Sequence, residues 1–124
     1  MLNKKLKWKK QHGKPNCGQI ALSVITGKSL KEIYKIVGHD GSTKTKELAS
    51  CLKHFGYNTH TRLKVLKTKP QFAIGKLKYP NRVNWHWVVV DGEKIYDGIH
   101  GTNSGKVKWK RGWKLSSFLE IKNA

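Results

Sequence analysis

The spacing of apolar residues changes once along the chain, at Gly56, and this limits the fold more than any other feature of the sequence. Before Gly56 the apolar positions recur as on helix faces. Ile20, Ala21, Val24 and Ile25 form one stripe. Pro15-Asn16 opens that helix, with Asn16 as N-cap, and Gly27 suits its end. Ser29 and Glu32 predict a capping box for a second helix with Ile33, Ile36 and Val37 inward and Gly38 at its close. A turn spans His39 to Thr43. A third helix runs from Thr45 to Phe55, burying Leu48, Ala49, Leu52 and Phe55.

After Gly56 the pattern is that of strands. Expected are Tyr57–Leu66, Gln71–Leu77 and the Val- and Trp-rich Val83–Val90. A turn at Asp91-Gly92 leads into a return strand, Lys94–Ile99. His100–Gly105 reads as a polar loop, Lys106–Trp113 as a last strand and Leu115–Ile121 as a short terminal helix. The first 14 residues read as a short arm or a first strand. Helices first and strands second predict an α+β fold, and 124 residues without a repeat predict one domain, residues 1–124.

Charge narrows the setting. With 26 Lys+Arg against 7 Asp+Glu the net charge is +19, spread along the chain. A solvated, highly charged surface explains it; so does a nucleic-acid or acidic protein partner. Two cysteines make no disulfide framework, and free thiols suit a reducing compartment. The basic N-terminal stretch has no apolar run behind it, so no signal peptide is expected, and no apolar stretch is long enough to span a membrane. A cytoplasmic protein is the expectation.

Two residues carry the chemistry. Cys17 falls in the first turn of a helix, where the positive end of the macrodipole favours thiolate. By position alone it reads more readily as a small buried hydrophobe, as most lone cysteines are. His86 lies inside an apolar strand and calls for a partner. If Asp91-Gly92 are the central residues of the hairpin, Asp97 lies directly opposite His86, on the same face, able to hold the imidazole oriented. A structural His–Asp pair would look the same. A slip of one residue would separate them. Gln11, six residues before Cys17, is a candidate side-chain donor to an oxyanion, beside the Cys17 backbone N–H. Alone it is an ordinary surface residue.

The order Gln11, Asn16-Cys17-Gly18, Ala21-Leu22, His86-Trp87-Val88-Val89-Val90 and Tyr96-Asp97-Gly98 resembles papain-like cysteine peptidases, above all the bacteriocin-processing, double-glycine peptidase family. The resemblance covers residues 11–98. It implies a papain-like fold, N-terminal helices packed on a C-terminal antiparallel sheet, with Cys17 as nucleophile, His86 as base, Asp97 as orienting residue and Gln11 as oxyanion donor. Asn16 stands where the family has Asp, and Gly98 where it commonly has Pro. The family's transporter domain does not follow, so export of bacteriocins is not implied.

The expected function is therefore thiol-dependent amide hydrolysis of a protein or peptide substrate, an acidic one where the net charge selects it. No cofactor or metal is expected, since no Cys/His pair has zinc-ligand spacing. Transglutaminase- or deamidase-type acyl transfer uses the same three groups. A basic binding protein on a peptidase-like scaffold, recognising nucleic acid or an acidic partner, is the alternative from another class. The small size and lysine content suggest a phage or mobile-element protein. Cys51, among Ala49, Leu52 and Phe55, reads as a core residue. Trp85, Trp87, Trp109 and Trp113 read as packing residues or as nucleobase-stacking ones.

Overall fold

The structure, a computed structural model, describes residues 6–7, 9–10, 15–60, 62–65, 70–78, 85–92, 94–98, 101–104 and 114–123. Three helices, α1 (Cys17–Thr26), α2 (Leu30–Val37) and α3 (Thr45–His54), precede the strands β1 (Asn58–Thr59), β2 (Phe72–Lys78), β3 (Trp85–Asp91), β4 (Lys94–Asp97), β5 (Gly101–Ser104) and β6 (Lys114–Asn123). The strands form an antiparallel sheet in the order β1-β6-β2-β3-β4-β5, with β1 a two-residue extension at one edge. The fold is α+β.

The helices cover one face of the sheet. Ile20, Leu22 and Ile25 of α1, Ile33 of α2 and Leu48 and Leu52 of α3 share a core with Ile74, Trp87, Val89, Tyr96, Leu119 and Ile121. Alternation along each strand turns the intervening residues to the other face. There Ala73, Val90 and Phe118 form one cluster, and Leu77, Val88 and Ile95 another. A sheet buried on both faces explains why β3 reads as a continuous apolar run.

The helix ends follow from local chemistry. Ser29 Oγ accepts from the Glu32 N–H at 3.2 Å, as a cap should. Glu47 Oε1 accepts from the Lys44 N–H at 2.9 Å, doing the same for α3 from inside the helix. Ile36, expected inward, is 38% exposed; α2 turns only Ile33 fully into the core.

The second half departs from expectation in three places. Residues 101–104 are a strand paired with β4, where a loop was expected. Residues 114–123 are a strand between β1 and β2, where a helix was expected. Leu115, Phe118, Leu119 and Ile121 have helix-like spacing for an identifiable reason. A bulge between Lys76 and Leu77 in the β2–β6 register inserts one residue of β6, so Leu115 and Phe118 share a face while Leu119 and Ile121 turn to the helices. Third, of the strand expected over Tyr57–Leu66 the described residues form only Asn58–Thr59 and an isolated bridge from Lys64 to Phe118. The strand expected over Lys106–Trp113 lies outside the described residues.

The β3–β4 hairpin is also shifted. Asp91 pairs with Lys94, Val90 with Ile95 and Val89 with Tyr96, so the turn lies one residue later than Asp91-Gly92. Gly92 takes a left-handed φ of 62° there, and its N–H donates to Gln71 O at 2.7 Å, tying the turn to the start of β2.

Candidate active site

Cys17 is the first residue of α1 and is only partly buried. The helix starts here because the Ile20 N–H donates to Asn16 O at 3.0 Å. Asn16 occupies the cap position without capping. Its side chain turns away, and Nδ2 donates to Tyr34 Oη of α2 at 2.7 Å. The early N–H groups of α1 are thus left without a side-chain acceptor from Asn16, which keeps the helix's positive end directed at Cys17.

Gly18 sets how closely this end packs. A Cβ at position 18 would overlap Thr43 Oγ1, and Thr43 is buried. Gln19, fully buried, holds the same loop: its Nε2 donates to His39 O at 3.0 Å and to Gly41 O at 2.9 Å. The loop is held on its other side by α3, where His39 Nε2 meets Glu47 Oε2 at 2.7 Å. The start of α1 is thereby braced from two directions.

The opposing wall is β3. Register pairs between β3 and β4 end at Val89 and Tyr96, so the Trp87 amide lies past the paired part of that edge. It donates to Cys17 Sγ at 3.5 Å. One residue earlier, His86 projects from the sheet with Val88 and Val90, on the face away from the helices. Asp97 shares that face with Ile95. Both are buried, and His86 Nε2 is bonded to Asp97 Oδ1 at 2.6 Å.

The remaining ring nitrogen is Nδ1, and the imidazole also hydrogen-bonds the Cys17 side chain. The His86 pKa is pushed up to about 9. Burial is the strongest single influence and works against protonation. It is outweighed by the hydrogen bonds from the ring to Asp97 and Cys17 together with the charges of those two groups. Around neutral pH the ring therefore carries a proton, and the sulfur faces a cationic imidazole as well as the Trp87 amide.

Cys17, His86 and Asp97 are thus brought together, although the register that joins His86 and Asp97 is not the expected one. The expected hairpin sets residue 86 opposite 97; the observed register sets Asp97 diagonal to His86. The shift is of two positions, an even number, so both side chains stay on one face. Gln11 lies outside the described residues. The sequence reading missed the Trp87 backbone donor, the brace through Gln19 and the role of Thr43 against Gly18. A fully polar Gln on the apolar side of α1 was the one available signal for the brace.

Among the described residues no group of His, Cys, Asp and Glu could hold a metal ion. No described helix is long and apolar enough to cross a membrane. No family model matches the chain, and no curated protein is detectably similar to it.

Proposed function

We propose that the protein is a papain-like cysteine peptidase, related in its site to the double-glycine peptidases, which hydrolyses an amide through a thioester on Cys17. The observation that carries this reading is the chain of contacts from the Cys17 sulfur through the His86 ring to the buried Asp97 carboxylate.

The Cys17 thiolate attacks the amide carbonyl carbon, and the carbonyl oxygen takes the charge. Donors for that oxyanion are the Cys17 N–H at the helix start and, by resemblance, the Gln11 side-chain amide. Protonated His86 gives its Nδ1 proton to the leaving nitrogen, and the C–N bond breaks to leave a thioester. Neutral His86 then takes a proton from water, whose oxygen attacks the thioester and releases the acid and Cys17. Asp97 holds the ring in place and balances its charge throughout. Transfer to an amine, as in a transglutaminase, or attack on a side-chain amide, as in a deamidase, would use the same groups. The net charge of +19 favours acidic protein or peptide substrates. A cytoplasmic setting and a phage or mobile-element origin complete the proposal.

The same charge supports a second reading, a basic binding protein on this scaffold. It predicts salt-dependent nucleic-acid affinity that Cys17→Ala leaves unchanged.

The test is alkylation by iodoacetamide, with the adduct located by peptide mapping. Selective modification of Cys17, slowed by His86→Ala, is expected. Equal modification of Cys17 and Cys51, or indifference to His86→Ala, would sink the thiol reading.

A further inference from the structure

One row of side chains crosses three strands in register. Trp85 of β3 is paired with Lys78 of β2, and Lys78 is paired with Lys114 of β6. Residues directly opposite one another share a face. By alternation it is the face of Ile74 and Trp87, against which the helices pack. All three members of the row are exposed, Trp85 to 39%, so the row stands beyond the cover of the helices. Lys76, on the same face of β2, holds its Nζ over the Trp85 ring, 4.6 Å from the centroid.

This ledge is electrostatically incomplete. Lys78 and Lys114 are like charges directly opposite each other, an arrangement that costs a sheet stability. No carboxylate of the three strands relieves it. Asp91 and Glu120 are paired with Phe72 and Ala73, at the other end of β2. An anion laid along the row would remove the repulsion. The ledge also adjoins the sulfur. The Trp85 and Trp87 rings meet with centroids 4.9 Å apart, and the Trp87 N–H donates to Cys17 Sγ. Two strand residues, about 7 Å of chain, separate that amide from the start of the ledge.

We propose that the ledge binds a carboxylate side chain of the substrate, an Asp or Glu roughly two or three residues from the amide that Cys17 attacks. The inference rests on Cys17 being the nucleophile. It narrows the attraction of a +19 chain for acidic substrates to one position beside the site. The Trp85 ring is the floor on which the peptide lies, and Lys78 and Lys114 hold its carboxylate. A peptide is favoured over single-stranded nucleic acid because the ring is already engaged. Lys76 lies over it and Trp87 meets it at 78°, which leaves less of it to stack a base.

Three probes test this: a capped heptapeptide of glutamates around one central glycine, its glutamine twin, and hexathymidylate. Each is tested for protecting Cys17 from iodoacetamide, with the Cys51 rate as internal control. Each is also titrated calorimetrically into the Cys17→Ala protein. The glutamate peptide should bind and protect, and the glutamine peptide should do neither at the same concentration. Lys78→Met combined with Lys114→Met should weaken both effects ~3- to 10-fold, the scale of two exposed ion pairs. Lys31→Met combined with Lys35→Met, which takes the same charge from α2, should change them less than ~2-fold. Lys114→Glu sets a carboxylate opposite Lys78 within the chain itself. It should raise the melting temperature and weaken protection at least as much as the Met pair.

Equal losses from the two Met pairs would reduce the effect to the general field of the protein and overturn the ledge. Stronger protection by hexathymidylate than by the glutamate peptide, lost with Lys78 and Lys114, would overturn it in favour of nucleic acid. Alkylation of Cys17 no faster than that of Cys51, with no peptide present, would overturn the nucleophile and with it the substrate role. Calorimetry needs no thiol, so it would then still separate a ledge that binds carboxylates from one that does not.

Discussion

Cys17 and Cys51 are both free thiols on helices of the same layer, yet they stand in different surroundings. Cys51 sits in the middle of α3, 2% exposed, among aliphatic side chains. Burial alone pushes its pKa up to about 11, so the thiol stays neutral and unreactive. Cys17 stands at a helix start, partly open, with an amide and an imidazole directed at its sulfur. The two thiols differ in which polar groups the fold brings to the sulfur, more than in the helix that carries them.

The largest effect expected is the contrast between the two thiols. At neutral pH iodoacetamide should modify Cys17 at least ~100-fold faster than Cys51 in the folded protein, because a thiol with so raised a pKa holds almost no thiolate. The ratio should collapse towards one in denaturant. His86→Ala should take ~10²-fold off the Cys17 rate and nothing off the Cys51 rate. A comparable loss at both sites would mean that the substitution had loosened the whole fold.

Next in size is the packing that places Cys17. Gly18→Ala forces a methyl group against Thr43 and should lower stability by about 1–3 kcal/mol in urea titration. Thr43→Ala should recover part of that loss when combined with it. If Gly18→Ala melts like the wild type, the close approach at the helix start is not a constraint. Smaller again, Asp97→Asn should lower the Cys17 alkylation rate ~10-fold and move its pH profile, because the ring loses the charge that keeps it protonated.

Most gradual is a pH dependence of stability, which is spread over several pH units. The His86 pKa is raised from 6.5 to about 9 on folding, so its contribution is complete below pH 6.5 and is lost as pH rises through about 9. Over that window the unfolding free energy should fall by up to about 1.4 kcal/mol per pH unit, and His86→Gln should flatten the curve. Cys51 acts later. Its folded pKa is raised from 9.0 to about 11, so the unfolded thiol ionises first and stability declines between those values. Two separate declines, each removed by its own substitution, would set the two regions apart thermodynamically.

What the sequence revealed tracks how local each signal is. The three helices were legible because their ends and faces are written in adjacent residues: Ser29 before α2, Gly27 after α1, Leu48 and Leu52 one turn apart. The pairing of His86 with Asp97 was legible for a different reason. Face alternation survives any even error in register, so a misplaced turn at Gly92 still left the two residues together. Strand β6 was illegible. Its apolar residues lie on both faces and a bulge breaks their alternation, so the spacing imitates a helix until β2 is known to lie beside it. The Trp87 amide could not be foreseen either, since a backbone donor has no letter in the sequence and depends on where β4 stops.

Strand β6 lies inside the sheet, with β1 on one side and β2 on the other, although it is the last described element to be made. During synthesis the three helices can form as they emerge, but β1 and β2 wait with open edges until residues 114–123 have left the ribosome. The thiol at residue 17 exists from the outset, while the imidazole and carboxylate that would activate it arrive 69 and 80 positions later. Until residue 97 has been delivered, the proposed nucleophile lacks both its base and its orienting carboxylate. The topology acts as a timer, set by the order in which the ribosome delivers the strands.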